Sequence, residues 1–160
     1  MNTETLSVLD LGCGYGYLTL CLTDLAFRKY LATDNNAAAL IAAQRNFAER
    51  ELTVDLSLDD CGKHLTEKVD IIVCNPPFHH GFDHDKALII HFVRASLALL
   101  TNKGIAFFVV NAFIPLPNVV AQESGHCELL AHESGFKVYC ISRERKHLDV
   151  LDRANRQTGE

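Results

Sequence analysis

A short apolar segment that stops at a glycine-rich loop constrains the fold of this chain more than any other feature of its sequence. The run Ser7-Val-Leu-Asp-Leu11 has the character of a buried parallel strand. Helix-like sequence follows from Tyr17 to Ala26. Between them, the glycines at positions 12, 14 and 16 let the backbone turn sharply and approach a ligand closely. A G-x-G pattern alone indicates only a tight turn, but a strand, a glycine turn and a helix in this order predict an open α/β sheet.

The rest of the chain continues this alternation. Helices are predicted over Ala37–Arg50 and Lys86–Leu100, the second stopped by Asn102-Lys-Gly104. Six further strands are predicted by apolar or alternating runs: Tyr30–Thr33, Leu52–Leu58, Val69–Cys74, Ile105–Val110, Cys127–Ala131 and Phe136–Ile141. The last two flank Glu133-Ser-Gly135, a plausible hairpin turn. We therefore predict a Rossmann-like, doubly wound α/β domain with a mostly parallel seven-stranded sheet and a C-terminal antiparallel hairpin.

Length and composition fit one cytoplasmic domain. With 160 residues, 48% hydrophobic and 22% charged, the chain can bury a core of ordinary size. We assign residues 1–151 to the domain and residues 152–160 to a polar tail. Neither a secretory signal nor a stretch of about 20 apolar residues occurs. The six cysteines lack metal-binding spacing and are predicted to be reduced and structural: Cys13, Cys21, Cys61, Cys74, Cys127 and Cys140.

The net charge of −5, from 15 Lys and Arg against 20 Asp and Glu, argues against a protein that binds nucleic acid through its charge alone. Only the segment Lys137–Arg153 is locally basic. It is either a solvated strand end and tail or a patch that contacts RNA, and the sequence leaves both interpretations open.

A cofactor site is predicted where the glycine loop meets the next strand. Asp34 ends that strand 24 residues after Asp10, near the spacing at which an acidic side chain accepts hydrogen bonds from ribose hydroxyls. A dinucleotide would satisfy this pattern, but G-x-G-x-G with an aspartate two residues ahead resembles the S-adenosylmethionine motif more closely. Asp10 would then face the ammonium group of the methyl donor, and loop amides its carboxylate. The predicted cofactor-binding residues are Asp10, Gly12, Cys13, Gly14, Gly16, Asp34, Asn35 and Asp60.

Asp60 is included because Asp59-Asp60 follows the third strand, where this fold commonly places a polar side chain against the adenine amino group. A helix N-cap explains the same pair equally well, since Asp is favoured at that position.

The segment Asn75-Pro76-Pro77-Phe78 is the predicted catalytic strip. Two prolines end a central strand and stiffen the loop at its carboxyl end, where ligands bind in open α/β sheets. The Asn75 side-chain carbonyl and the Pro76 carbonyl can each accept a hydrogen from an exocyclic amino group, which would aim the nitrogen at the methyl donor. Phe78 offers a flat surface on which a flipped-out base could stack. A turn followed by a core phenylalanine is the plainer alternative.

The histidines after this strip superficially resemble a metal cluster. They lie in His79-His80-Gly-Phe-Asp-His84, and His91 follows in a predicted helix. Because the methyl group of the donor is already activated, the reaction needs no metal. We predict no metal site and interpret the histidine segment as a polar active-site loop.

Three segments carry a resemblance to a known family: Val8-Leu-Asp-Leu-Gly-Cys-Gly14, Asn75-Pro-Pro-Phe-His-His-Gly81 and Asn111-Ala-Phe-Ile-Pro-Leu-Pro117. In this order they resemble the methyltransferase small domain family, specifically its ribosomal RNA guanine-N2 methyltransferases. The later Gly135-Phe-Lys-Val-Tyr139 is similar to their closing strand. The likeness extends over most of the chain, roughly Ser7 to Ile141.

The resemblance implies a class I fold, S-adenosylmethionine as cofactor and ribosomal RNA or a ribosomal subunit as partner. It also implies that the Asn75 strip holds the guanine beside the Asn111–Pro117 loop, so that Phe78, His79, Asn111 and Phe113 bind substrate. These enzymes carry a preceding recognition domain, whereas here the first strand begins within about ten residues of Met1. RNA docking is therefore expected to depend on a missing or separate N-terminal recognition domain.

Two other functions compete with RNA methylation. A protein glutamine N5-methyltransferase would keep the fold and suit the acidic charge, although those enzymes usually carry Tyr where this chain has Phe78. A non-catalytic cofactor-binding domain of a larger methyltransferase is the other alternative, which the intact glycine and Asn-Pro-Pro-Phe motifs oppose.

Overall fold

The computed structural model describes residues 3–77 and 82–148. Within them the main elements are seven strands and four α-helices. The strands are β1 (Ser7–Leu11), β2 (Lys29–Asp34), β3 (Asp55–Leu58), β4 (Val69–Cys74), β5 (Leu100–Asn111), β6 (His126–Glu133) and β7 (Phe136–Ser142). The helices are α1 (Tyr17–Cys21), α2 (Ala37–Glu49), α3 (Phe82–Leu99) and α4 (Leu116–Gln122). The proposed tail, residues 152–160, lies outside the described residues, so the domain boundary stays a prediction.

All seven strands join one sheet in the order β3-β2-β1-β4-β5-β7-β6. The first five run parallel to one another, and β7 pairs antiparallel with both β5 and β6. The β6–β7 hairpin closes through a two-residue turn at Ser134 and Gly135. The predicted fold class, a Rossmann-like mostly parallel sheet with a C-terminal antiparallel hairpin, is confirmed.

Apolar side chains cover both faces of the central strands. In β1, Val8 packs into a cluster with Phe27 and Tyr30, whereas its neighbour Leu9 packs into the larger cluster that contains α3 and α4. This division follows from the alternation of side chains along a strand. Because both faces are buried, the strand reads as a nearly continuous apolar run, as the sequence indicated.

A polar network ties three strands together at the amino end of the sheet. The Asp70 carboxylate accepts hydrogen bonds from the Ser7 amide and hydroxyl, each at 3.0 Å, and from the Thr101 hydroxyl at 3.2 Å. The Ser7 hydroxyl oxygen also accepts from the Asp70 amide at 3.2 Å. This network links β1, β4 and β5 at the edge opposite the glycine loop, and leaves the carboxyl edge free for ligands.

The structure corrects two predicted elements near the ends of helices. The first helix stops at Cys21 and is followed by a separate 3₁₀ turn over Thr23–Leu25, not one helix to Ala26. Strand β5 begins at Leu100 directly after α3, so Asn102-Lys-Gly104 lies inside the strand and does not form a helix stop. The β4–β5 register shifts between Val69 and Ile71, which accommodates the extra residues.

A further helix, α4, lies where only a proline loop was predicted. Proline is tolerated in the first turn of a helix, because the amides there have no intrahelical partner. Pro117 occupies such a position, and Leu116, Val119 and Val120 are buried against the core. None of the helices within residues 3–77 and 82–148 combines the length and the apolar character that spanning a bilayer requires.

Candidate functional site

A cavity of about 950 Å³ opens at the carboxyl ends of the parallel strands. It sits where the chain leaves β1 and β4, the neighbouring strands at which the strand order reverses direction. Ligands of open α/β sheets bind at such a point. The cavity brings together eleven predicted site residues: Asp10, Gly12, Cys13, Gly14, Asp34, Asn35, Asp60, Asn75, Pro76, Pro77 and Asn111.

The glycine loop is held against the end of β2 by its own backbone. The amides of Gly12 and Cys13 both donate to the Thr33 carbonyl at 2.9 Å, and the Gly14 amide donates to the Asp34 carboxylate at 2.8 Å. These three amides are thus engaged within the protein. The prediction that loop amides face a ligand carboxylate stays a prediction.

Gly16 lies behind the loop and not on the cavity. It adopts a φ of 88°, and a Cβ placed there would lie 2.5 Å from Cζ of Phe47 in α2. Its role in the described structure is therefore close packing between the loop and α2, in the left-handed region that favours glycine.

Asp34 occupies the position predicted to bind ribose, and its carboxylate is oriented by two backbone amides. One oxygen accepts from Gly14 and the other from Asn36, each at 2.8 Å. Asn36 in turn caps α2 by accepting from the Ala38 amide at 3.0 Å. Each carboxylate oxygen retains a second lone pair for a ligand hydroxyl.

Asp10 is the most deeply buried acid of the cavity, with 2% of its surface exposed. Its Oδ2 accepts from the Thr19 hydroxyl at 2.7 Å and from the Thr19 amide at 3.0 Å, whereas its buried Oδ1 has no partner. Burial raises the pKa of Asp10 to about 6, and the nearby Asp34 adds to the rise. A buried carboxylate oxygen without a partner is costly, so the site suits a cationic ligand group at Oδ1.

The cysteines of the cavity are thiols and not nucleophiles. Burial and the nearby Asp10 and Asp34 raise the pKa of Cys13 to about 12, and burial next to Asp60 raises that of Cys61 to about 12. At neutral pH neither side chain supplies a thiolate. All six cysteines are unpaired, as predicted.

Asp59 and Asp60 have different surroundings. Asp59 is buried and accepts from the His64 amide at 2.9 Å and lies 3.2 Å from the His64 ring nitrogen, which fixes the turn between β3 and β4. Asp60 is exposed and lines the cavity. No helix follows them within the described segment 59–69, so a helix N-cap does not explain the pair.

The described part of the catalytic strip follows β4 directly. Asn75 and Pro77 are exposed and Pro76 is buried, and all three line the cavity. Asn111, the last residue of β5, lines it from the neighbouring strand, whereas Phe113 is 67% exposed and is not part of the lining. The predictions for Phe78 and His79 lie outside the described residues.

One group of possible metal ligands lies beside the cavity. Asp60, Cys61 and His91 each place one donor atom within 4.8 Å of the others, the only such group in residues 3–77 and 82–148. Two of the three are exposed, and the raised pKa of Cys61 keeps its side chain a neutral thiol at neutral pH. The absence of a functional metal stays a prediction.

Sequence reasoning missed the aromatic and apolar part of the lining. Tyr15 and Tyr17 flank Gly16 and line the cavity, and Phe92 of α3 also lines it and lies close to Gly12. The tyrosines could have been found from their places within and directly after the glycine loop. The only sequence pattern that includes Phe92 is the helical spacing of apolar residues, which does not distinguish a lining residue from a core residue.

Comparison with known proteins places the chain among methyltransferases. The model of the methyltransferase small domain family matches residues 1–140. A ribosomal RNA small subunit methyltransferase C from Actinobacillus succinogenes is 33% identical over 135 residues, and its counterpart from Haemophilus influenzae is also 33% identical over 135. These alignments cover 84% of this chain but only 40% and 41% of the relatives.

Two solved structures share the fold. The T. thermophilus 16S rRNA N2 G1207 methyltransferase, determined with AdoMet and guanosine, superposes with a TM-score of 0.77 at 29% identity, over 87% of this chain and 38% of that one. A ribosomal protein L11 methylase from Lactobacillus delbrueckii has a TM-score of 0.76 at 21% identity, over 88% and 71% of the two chains. At that identity the second likeness is one of fold alone. With its strand order, its glycine loop and the family match over residues 1–140, the chain belongs to the methyltransferase small domain family.

Proposed function

We propose that this chain is the catalytic domain of an S-adenosylmethionine-dependent methyltransferase that methylates the exocyclic N2 of a guanine in ribosomal RNA. The observation that carries the proposal is the meeting of Asn75, Pro76 and Pro77 with Asp10 and Asp34 around one cavity. The family membership supports the reaction class. The names of the relatives, and the AdoMet and guanosine bound by the T. thermophilus enzyme, support the cofactor and the base.

We assign a different chemical group of the cofactor to each part of the cavity. The unpaired Oδ1 of Asp10 suits the ammonium group, and Asp34 the ribose hydroxyls. Asn35 and the exposed Asp60 line the same cavity and are proposed to contact the adenine end. When bound, S-adenosylmethionine supplies a methyl group already activated on a sulfonium sulfur, so the protein needs chiefly to position the acceptor.

Positioning is assigned to the strip after β4. The Asn75 side-chain carbonyl accepts one hydrogen of the guanine amino group, and the Pro76 carbonyl accepts the other. Two such contacts leave the nitrogen lone pair directed at the cavity, and orientation of this kind can supply a large share of a rate enhancement. Phe78 is proposed to stack on the base, with His79, Asn111 and Phe113 beside it.

The macromolecular partner is proposed from the relatives. Because the chain spans about 40% of their length, we propose that docking to ribosomal RNA or to a ribosomal subunit uses a recognition domain outside the sequence described here. Guanosine and short oligonucleotides are therefore better first substrates than folded RNA.

The test is replacement of Asn75. We expect Asn75→Ala to lower kcat for methylation of guanosine by roughly 100-fold, since a misplaced acceptor costs about that much, with little change in the affinity for S-adenosylhomocysteine. Asn118→Ala, at an exposed asparagine of α4, is the matched control and should behave as wild type. Methyl incorporation, product analysis for 2-methylguanosine and calorimetric titration provide the readouts.

Three results would contradict the proposal. Unchanged turnover in Asn75→Ala would remove the strip from catalysis. Labelling of a protein glutamine in place of guanine would favour the glutamine methyltransferases. Failure of the wild-type chain to bind either S-adenosylmethionine or S-adenosylhomocysteine would indicate a non-catalytic domain.

A further inference from the structure

Two exposed tyrosines stand at the edge of the cavity. Tyr15 and Tyr17 are each 58% exposed, although both line the same cavity as Asn75. Their ring centroids are 6.2 Å apart, with 52° between the ring planes. Tyrosine combines a large apolar ring with a polar end and is enriched at binding interfaces, so an exposed pair that lines a cavity points to a ligand.

The backbone that carries the pair is fixed on both sides. The Asn46 side-chain amide donates to the Tyr15 carbonyl at 2.8 Å, which ties the loop to α2. Gly16, between the two tyrosines, is packed against Phe47. Tyr17 is the first residue of α1, and a hydrogen bond with the Cys21 side chain one turn later raises the pKa of its phenol. The two rings thus project from a rigid support.

The charge of the cavity restricts what the tyrosines can bind. Among the described lining residues there are four aspartates, at positions 10, 34, 59 and 60, and neither lysine nor arginine. A phosphate group would be repelled there, whereas the uncharged face of a nucleobase would not. Aromatic side chains bind single-stranded nucleic acids by stacking, which tolerates any base because every base has a π face.

We propose that Tyr15 and Tyr17 form a stacking subsite for the unpaired nucleobase next to the target guanine. This inference rests on the proposed function and adds a substrate contact to it. The subsite holds the flanking nucleotide by its base while the guanine lies against the Asn75 strip. It selects targets in single-stranded or unstacked RNA, because a base inside a helix does not expose its face.

The experiment compares two substrates that differ only in flanking nucleotides. KM and kcat are measured for guanosine and for a single-stranded trinucleotide with guanine in the middle, with S-adenosylmethionine as methyl donor. The variants are Tyr15→Leu, Tyr17→Leu and the double replacement. Tyr15→Phe and Tyr17→Phe keep the rings, and Leu25→Ala removes an exposed apolar side chain outside the cavity lining. Thermal melting and titration with S-adenosylhomocysteine accompany each variant.

For the wild type we expect a lower KM for the trinucleotide than for guanosine. In the double Leu variant, the KM for guanosine divided by the KM for the trinucleotide should fall by roughly tenfold, in line with the loss of a stacked base. The Phe variants and Leu25→Ala should keep the wild-type ratio.

Three outcomes overturn the stacking subsite alone. The first is a wild-type chain that methylates guanosine but has no lower KM for the trinucleotide. This result leaves the proposed function standing. A ratio unchanged in the Leu variants has the same meaning. Loss of S-adenosylhomocysteine affinity in parallel with activity assigns the rings to covering the cofactor instead. A wild-type chain that binds cofactor and methylates neither substrate overturns the proposed function and, with it, this inference.

Discussion

The Asp10 carboxylate has one saturated oxygen and one free oxygen. Oδ2 is held by Thr19, whereas Oδ1 is buried without a partner. Burial favours the neutral acid, which explains a pKa of about 6. A cationic ligand group at Oδ1 would favour the carboxylate instead. Protonation and the binding of such a cationic group would therefore compete for the same atom.

This competition predicts pH-dependent cofactor affinity. Above about pH 6 Asp10 is already ionised and the affinity for S-adenosylhomocysteine should be constant. Below that pH, binding must first remove a proton, and the affinity should fall by up to about tenfold per pH unit. Calorimetric titrations from pH 5 to pH 8 would measure it.

Asp10→Asn is the control for this prediction. The amide keeps an acceptor for Thr19 but cannot titrate, so its weaker affinity should be nearly the same at pH 5 and pH 8. A variant that retains the wild-type pH profile would place the titrating group elsewhere.

At the residue scale, the sequence was sufficient to predict that Asp10, Asp34 and Asn75 meet at one edge of the sheet, because each lies at or next to the carboxyl end of a parallel strand. What each of them binds stays a prediction. The tyrosine pair was missed although it lies within and directly after the glycine loop, because the sequence does not show how far the two rings are exposed or how they face one another. Gly16 was assigned to the ligand, but its constraint is the Phe47 ring, a contact between elements 31 residues apart in the chain.

The junction of the glycine loop with α2 illustrates how elements fix one another. Gly16→Ala places a methyl group against Phe47 and keeps a φ of 88°, so we expect the free energy of unfolding to fall by about 2–4 kcal/mol from overpacking and backbone strain. Gly14→Ala is the matched control. It has a φ of 54° and nothing within 4 Å of the added Cβ, so only about 1–2 kcal/mol of strain is expected.

Urea unfolding of the two variants would check this difference. Equal losses would show that Phe47 moves aside at no cost. A larger loss in Gly14→Ala would contradict the packing role of Gly16 altogether.

Elements whose signals are local were predicted more closely than those set by tertiary contacts. The apolar run of β4 was predicted at its observed bounds, and α2 within one residue of its end. Strand β3 proved shorter than predicted, because Leu52 and Val54 pack against the side chains of α2 before the strand begins. Helix α4 was missed because its prolines suggest a loop, while the burial of Leu116 that stabilises it depends on the assembled core.

The whole molecule is acidic, and this limits how it could bind the RNA substrate that we propose. A protein that neutralises few phosphates releases few counterions, so its affinity depends weakly on salt. With a net charge of −5, we expect the affinity for a single-stranded oligonucleotide to fall by less than about tenfold between 50 mM and 200 mM salt. Fluorescence anisotropy would measure the slope. A steep slope would instead indicate that the basic segment Lys137–Arg153 neutralises several phosphates.

The fold separates stability from function along the strand direction. The Asp70 network fastens the amino ends of β1, β4 and β5, while the cavity occupies the carboxyl ends. This separation could be predicted from the parallel sheet alone, because all its carboxyl ends share one edge. The proposed docking to RNA could not be predicted in the same way, since the chain spans only about 40% of its curated relatives.

The two amides that hold Asp34 have a thermodynamic consequence. Gly14 and Asn36 immobilise the carboxylate without any ligand, so the conformational entropy of that side chain is lost when the protein folds and not when the cofactor arrives. A ligand that meets an already ordered group therefore loses less of its binding free energy to the ordering of protein side chains. The ribose end of the cofactor should thus enter a rigid receptor, and the heat released there should reflect new hydrogen bonds with little contribution from rearrangement of the protein.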